Sequence, residues 1–158
     1  MGTASKITPT GVLTTLWTFC SQPDCPDGAF PSPLIQGADG NFYGTTSGGG
    51  LVGQAYANGT IFKITPGGTL TTLYAFCPTS SYPKCEDGAL PNAPLIQADN
   101  GNFYGTTTAG GPSCAIPTTC GTVFEFTPGG AVRTLYGFCS QPNCADGGGP
   151  IVGLAEGH

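Results

Sequence analysis

Apolar residues in this chain come in short runs, and each run is closed off by Gly, Pro or Asn-Gly. Residues 94–138 show the pattern whole. Pro94–Ala98 is followed by the turn Asp99-Asn100-Gly101, then by Asn102–Thr107 and a Gly-rich loop. Thr122–Thr127, the turn Pro128-Gly129-Gly130 and Ala131–Phe138 complete it. Bounded runs of this length and composition predict β-strands. Asn100-Gly101 and Asp39-Gly40 read as two-residue hairpin turns, because both residues tolerate a positive φ. Successive hairpins give a four-stranded antiparallel meander. Strict alternation in the last strand of the preceding unit sets Leu70, Thr72, Tyr74 and Phe76 on one face, with Thr71, Leu73 and Ala75 on the other. Apolar groups on both faces predict a sheet sandwiched between two others.

The unit repeats. Lys6-Ile-Thr-Pro runs on to Leu-Trp-Thr-Phe-Cys20, and its kin run from Lys63 to Cys77 and from Glu125 to Cys139. A second block, Pro33–Thr46, recurs as Pro94–Thr107. The period from Ile7 to Ile64 is 57 residues, and from Ile64 to Phe126 it is 62. A four-stranded meander repeated in this way predicts an all-β, β-propeller-like architecture with about three repeats. The whole of 1–158 reads as one repeat domain: a partial blade at 2–20, blades at 33–77 and 94–139, and a partial blade at 149–158.

The phase leaves the ring incomplete. Residues 2–9 correspond to a third strand and Pro150–Glu156 to a first strand, whereas a propeller typically needs 4–8 blades to close. Unpaired edges are a liability in water. The expectation is homo-oligomeric, head-to-tail assembly into a ring or filament, with Thr3, Ser5 and Ile7 at one edge and Ile151, Val152 and Leu154 at the other. This would set the first strand of one copy beside strands three and four of the next. Met1-Gly2-Thr3 leads directly into repeat sequence, so, if the protein is exported, a mature form, a fragment or a recombinant chain is expected here.

Composition sharpens the picture. Gly 27 and Pro 15 are high enough to suggest disorder, but 39% hydrophobic and 10% aromatic residues mark them as turn punctuation. A net charge of −5 and only 4 Lys+Arg exclude a phosphate-neutralising surface, and no apolar run approaches a membrane span. The eight cysteines fall as Cys20/Cys25, Cys77/Cys85, Cys114/Cys120 and Cys139/Cys144. Nearest-neighbour disulfides fit best; zinc is the competing reading, although zinc sites favour tighter Cys knuckles or a His pair. Disulfides point outside the reducing cytosol, to the periplasm or the extracellular space.

Candidate chemistry is sparse. Asp27, Asp87 and Asp146 each precede a Gly after the cysteine loop, and loop oxygens suit calcium. Asp-Gly is first of all a turn, however, and no Asp-x-Asp-x-Asp-Gly loop occurs. The only His is His158, so a nucleophilic triad lacks its base. Acids that recur once per unit read as architecture, and no catalytic residue is expected. Asn58-Gly59-Thr60 is formally a glycosylation sequon, and an Asn-Gly turn explains it equally well. A ligand such as a glycan would sit on the variable loops, Gly48–Asn58 and Gly110–Thr119.

Taken in order, Gly-Asn-Phe-Tyr-Gly-Thr-Thr, a Gly-rich loop, Gly-Thr-Val-Phe, Thr-Pro-Gly-Gly and Thr-Leu-Tyr-x-Phe-Cys resemble the GloVer (Gloeo-Verruco) tandem repeat. The resemblance covers essentially the whole chain. It implies an exported, propeller-like bacterial repeat protein, and it implies no established activity.

Overall fold

The computed structural model describes residues 1–50, 58–78, 85–114 and 120–157. Its strands form three open antiparallel sheets. The N-terminal sheet pairs β1 (Gly2–Ile7) with β2 (Leu13–Phe19). The middle sheet contains β3 (Ala29–Pro31), β4 (Ile35–Gln36), β5 (Phe42–Gly48), β6 (Thr60–Ile64) and β7 (Leu70–Ala75). The C-terminal sheet repeats it with β8 (Ala89–Pro91), β9 (Ile96–Gln97), β10 (Phe103–Ala109), β11 (Thr122–Phe126) and β12 (Val132–Gly137). β3 and β4 both pair with β5, then β6 and β7 follow, and the C-terminal sheet has the same order. Each full sheet is therefore a four-position meander whose first position is split in two. The fold is all-β and propeller-like.

Three features depart from the alternation read along the chain. First, the opening strand reaches further back than residues 94–98. β8 pairs with the far end of β10 and β9 with its near end. The intervening prolines lack an N–H and interrupt the ladder. Second, every strand-three/strand-four pair carries a bulge, at Ala4/Ser5, Ile61/Phe62 and Val123/Phe124. The register skips Leu73, so the strict two-face pattern of residues 70–76 fails, and Leu73 and Tyr74 both pack against one core. Third, the Asp39-Gly40 and Asn100-Gly101 turns are longer than two residues. Only Gly40 and Gly101 take positive φ, and Asp39 and Asn100 use their side chains to accept the amide N–H of Asn41 and Asn102.

The sheets stack face to face. Ala4 and Phe19 of the N-terminal sheet meet Phe62 and Ile64 of the middle one, with Leu16, Trp17, Leu34, Phe42 and Leu70 around them. The next interface repeats the arrangement: Tyr43, Ile61 and Phe76 meet Leu95, Phe103, Phe124 and Phe126. The Phe19–Phe62 ring pair (4.8 Å) and the Phe76–Phe124 pair (5.2 Å) occupy equivalent places. A glycine in each hairpin turn lets it lie against the preceding sheet. A Cβ on Gly68 would stand 3.0 Å from the Leu16 carbonyl, and one on Gly130 would stand 3.1 Å from that of Leu73.

Pro150–Glu156 forms no strand. In the complete sheets the opening strand pairs only with strand two, and the described residues after Cys144 supply no such partner. The segment nevertheless docks where an opening strand belongs. Gly149 N–H donates to the Cys120 carbonyl at 2.7 Å, as Leu90 N–H donates to that of Asn58 at 2.8 Å. Pro150 meets Gly121 as Pro91 meets Gly59.

Candidate functional site: the cysteine corners and the open faces

The same corner follows strand four in each unit. It reads aromatic-x-Phe-Cys, a short loop, then Cys-x-Asp-Gly. The structure bridges Cys20–Cys25, Cys77–Cys85, Cys114–Cys120 and Cys139–Cys144, and no free cysteine is left. In the three corners both cysteines hold positive φ, from 45° at Cys85 to 59° at Cys20. Such backbone costs about 1–3 kcal/mol per residue and persists only where its surroundings fix it. The bridge and the aspartate fix it here.

That aspartate is a clamp. Asp27 accepts the Trp17 indole N–H at 2.9 Å and the Cys20 amide at 3.0 Å. Asp87 accepts the Tyr74 hydroxyl and the Cys77 amide, each at 2.9 Å. Asp146 accepts the Tyr136 hydroxyl at 2.6 Å and the Ser140 amide at 3.0 Å. Burial, and after it the Asp87 carboxylate, pushes the Tyr74 hydroxyl above the ordinary tyrosine range. The Tyr136 hydrogen bond holds Asp146 well below the usual carboxylate range. Each of the three acids named as calcium candidates thus accepts N–H or O–H donors from its own corner. Among the described residues no group of three or more His, Cys, Asp or Glu could hold a metal ion. The recurring polar-tipped aromatic three residues before each Cys was the available signal for this role. Asp87 Oδ1 is buried without a hydrogen-bond partner among the described residues.

The two end faces are the other repeated feature. On the middle sheet, Leu34, Phe42, Phe62, Ile64 and Leu70 face the preceding sheet. Their counterparts on the N-terminal sheet are Ser5, Ile7 and Leu13, which nothing covers: Ile7 is 68% exposed and Leu13 is 67%. Val12 beside them is exposed too, and Gly11, the counterpart of Gly68 and Gly130, faces open space. At the other end Leu135 and Tyr136, the counterparts of Leu73 and Tyr74, are 42% and 39% exposed. Phe138 and Tyr104 there are half-buried, whereas Phe76 and Tyr43 are buried. Ile151 and Val152 are exposed, and Leu154 is half-buried.

The polar rim differs between units. Glu125 stands where Lys6 and Lys63 stand, and it accepts from Asn102, Tyr104 and Arg133. The Arg133 hydrogen bond lowers its pKa. The two variable loops fall largely on residues 51–57 and 115–119, outside the described residues, as does His158. Within the sequon, the Asn58 carbonyl accepts from Leu90, Asn58 bridges Gly49, and Gly59 has φ +97° with Pro91 pressed against it where the chain enters β6. No helix among the described residues is long and apolar enough to cross a membrane.

Among solved structures the chain is similar to the X-ray structure of a putative gluconolactonase, at 15% identity and a TM-score of 0.44. That match covers 80% of this chain, which spans only 39% of the other. No curated protein matches. The motif order read along the sequence, the sheet repeated around each corner and a family model matching residues 1–158 agree: the chain belongs to the Gloeobacter/Verrucomicrobia repeat family.

Proposed function

We propose that this chain is a non-enzymatic structural and interaction module that works in the extracellular space or the periplasm and joins copies of itself head to tail. One observation carries the reading. The uncovered face of the N-terminal sheet and the uncovered face of the C-terminal sheet are the two halves of an interface that the chain already makes twice within itself. Stacking Leu135 and Phe138 of one copy on the Gly11 turn and Ser5 of another repeats the contacts of Leu73 and Phe76 with Gly130 and Phe124. Such a heterologous contact closes into a ring or runs on as a filament. The four disulfides support export.

The joint differs in one respect from the edge pairing expected from sequence. Strand one pairs with strand two alone. In the proposed joint, residues 151–154 of one copy and Thr3, Ser5 and Ile7 of the next share no ladder, and the contact is face against face.

Size-exclusion chromatography with light scattering tests the proposal. The native chain is expected to assemble at micromolar concentration, while Leu135→Asp and Leu13→Asp each block one face and stay monomeric. A mixture of the two variants keeps one good pair of faces and is expected to stop at a dimer. A stable native monomer at those concentrations would overturn the reading. The alternative, a carbohydrate- or surface-binding module, rests on the variable loops, which lie largely outside the described residues.

A further inference from the structure

We infer that the groove along the free edge of β1 is a docking site for an added β-strand, and that its occupant is a second-strand segment of another repeat of this kind. The inference goes beyond the face-to-face joint, because that joint leaves the strand-two place of the N-terminal sheet open.

Both complete sheets show what belongs there. Phe42, Tyr43, Gly44, Thr45 and Thr46 pair with Ile64, Lys63, Phe62, Ile61 and Thr60. Thr46 and Thr60 share a hydroxyl hydrogen bond at 2.8 Å, and the Thr60 amide donates to the Thr46 hydroxyl at 3.1 Å. Thr107 and Thr122 repeat both contacts, at 2.9 Å and 3.0 Å. Thr60 and Thr122 are completely buried as a result. Thr3, at the same repeat position, is exposed.

The groove beside it has a volume of about 380 Å³ and is lined by Thr3, Ala4 and Ser5 on one side and Pro31, Ser32 and Leu34 on the other. Those walls match the surroundings of β5, which lies between β6 and the next sheet's β8. A side-chain place is open as well. Tyr43 packs tilted against Phe103 at 4.2 Å, and Phe103 is buried, whereas Phe42, the counterpart of Phe103, is only half-buried. An edge strand with free N–H and C=O groups beside an apolar groove is the setting for strand addition, in which main-chain bonds give affinity and alternate side-chain pockets give specificity. The register of the complete sheets would set Thr46 of an added segment opposite Thr3 and its Tyr43 ring on Phe42.

The test uses the full chain carrying Leu135→Asp, to keep the end faces apart, and a synthetic peptide of residues 40–47. Hydrogen exchange should show saturable protection of the Gly2–Ile7 amides, at least tenfold, with one peptide bound per chain. A peptide with Thr46→Pro, which removes a ladder N–H, and one with Tyr43→Ala should each bind at least tenfold more weakly. Absence of protection in β1, or equal binding of the proline peptide, overturns the inference. So does stronger protection by a peptide of residues 150–156, since the occupant would then be a first strand. These outcomes are independent of self-assembly, which is read by light scattering on the native chain without peptide.

Discussion

Phe62 offers the sharpest test of the stacked-sheet reading. Its ring is completely buried, lies 4.8 Å from that of Phe19, and has the β5 backbone against its far side, where a Cβ on Gly44 would come within 2.8 Å. The β5 backbone on one side cannot move into the space that Phe62→Ala would leave. The loss should therefore fall within the full range for a buried aromatic, about 3–5 kcal/mol. At roughly 2–4 °C per kcal/mol for a domain of this size, the melting midpoint should drop by about 6–20 °C. Ser5→Ala, at the same repeat position on the uncovered face, should change stability by less than about 0.5 kcal/mol. Guanidinium unfolding at fixed protein concentration, with disulfides intact, provides the assay. Trp17, the single tryptophan, lies on the sheet that Phe62 holds, so its fluorescence should change before the far-ultraviolet dichroism does in Phe62→Ala. A cost below about 1 kcal/mol, or equal costs for the Phe62 and Ser5 variants, would mean that the N-terminal sheet is not packed on the middle one, and the account of the fold would fail.

Three further outcomes are expected. Asp87→Ala leaves the Tyr74 hydroxyl and the Cys77 amide without their acceptor and should cost about 1–3 kcal/mol in chemical unfolding; Asp146→Ala, at a more open corner, should cost less. Burial, and after it Asp39, pushes Tyr43 from 10.0 up to about 12. The folded state thus holds this proton more tightly than the unfolded chain does. The corresponding stability is complete below pH 10 and is lost as pH rises from 10 towards 12, a slope that Tyr43→Phe should reduce, leaving the share of Tyr74, in unfolding curves taken across that range. Each bridge closes a loop of 5 to 8 residues in sequence separation, worth about 2 kcal/mol by chain entropy. Reduction should accordingly bring the midpoint down steeply as thiol titration approaches eight groups, and an unchanged midpoint after complete reduction would show that the corners do not depend on their bridges.

Much of this architecture is legible in the chain because repetition exposes it. Glycines that recur at 11, 68 and 130 mark the same turn, and the paired cysteines mark the same corner. What escaped was set by contacts between distant residues. Phe30 and Leu90 look like core positions in a short apolar run, yet both sit at a φ of 57° with substantial exposure, and the three-residue strands around them exist only because β5 and β10 extend far enough to pair. The bulge at Leu73 leaves no mark in a pattern of alternating residues, since the skip is decided by the facing strand. The aspartates read from sequence as Asp-Gly turns with loop oxygens that could suit calcium, and the clamp they form is not visible there. Their donors, an aromatic tip ten or thirteen residues back and a backbone amide, come into reach only once the cysteine loop has folded.

One substitution bears on how strongly copies would hold each other. Within the chain, each interface is keyed by a phenylalanine on the following sheet, Phe62 against Phe19 and Phe124 against Phe76. On the uncovered face the corresponding residue is Ser5, so a joint between copies would set Phe138 against a hydroxyl. A phenylalanine left facing water would invite unselective association. A serine there removes about 1.5–3 kcal/mol of burial from the joint, roughly one to two powers of ten in dissociation constant. The proposed joint is thus the same interface as the internal ones in its geometry and a weaker one in its chemistry. The proposed joint therefore predicts reversible, concentration-dependent assembly, whereas the internal sheets, tethered by the chain and packed on rings, stay together.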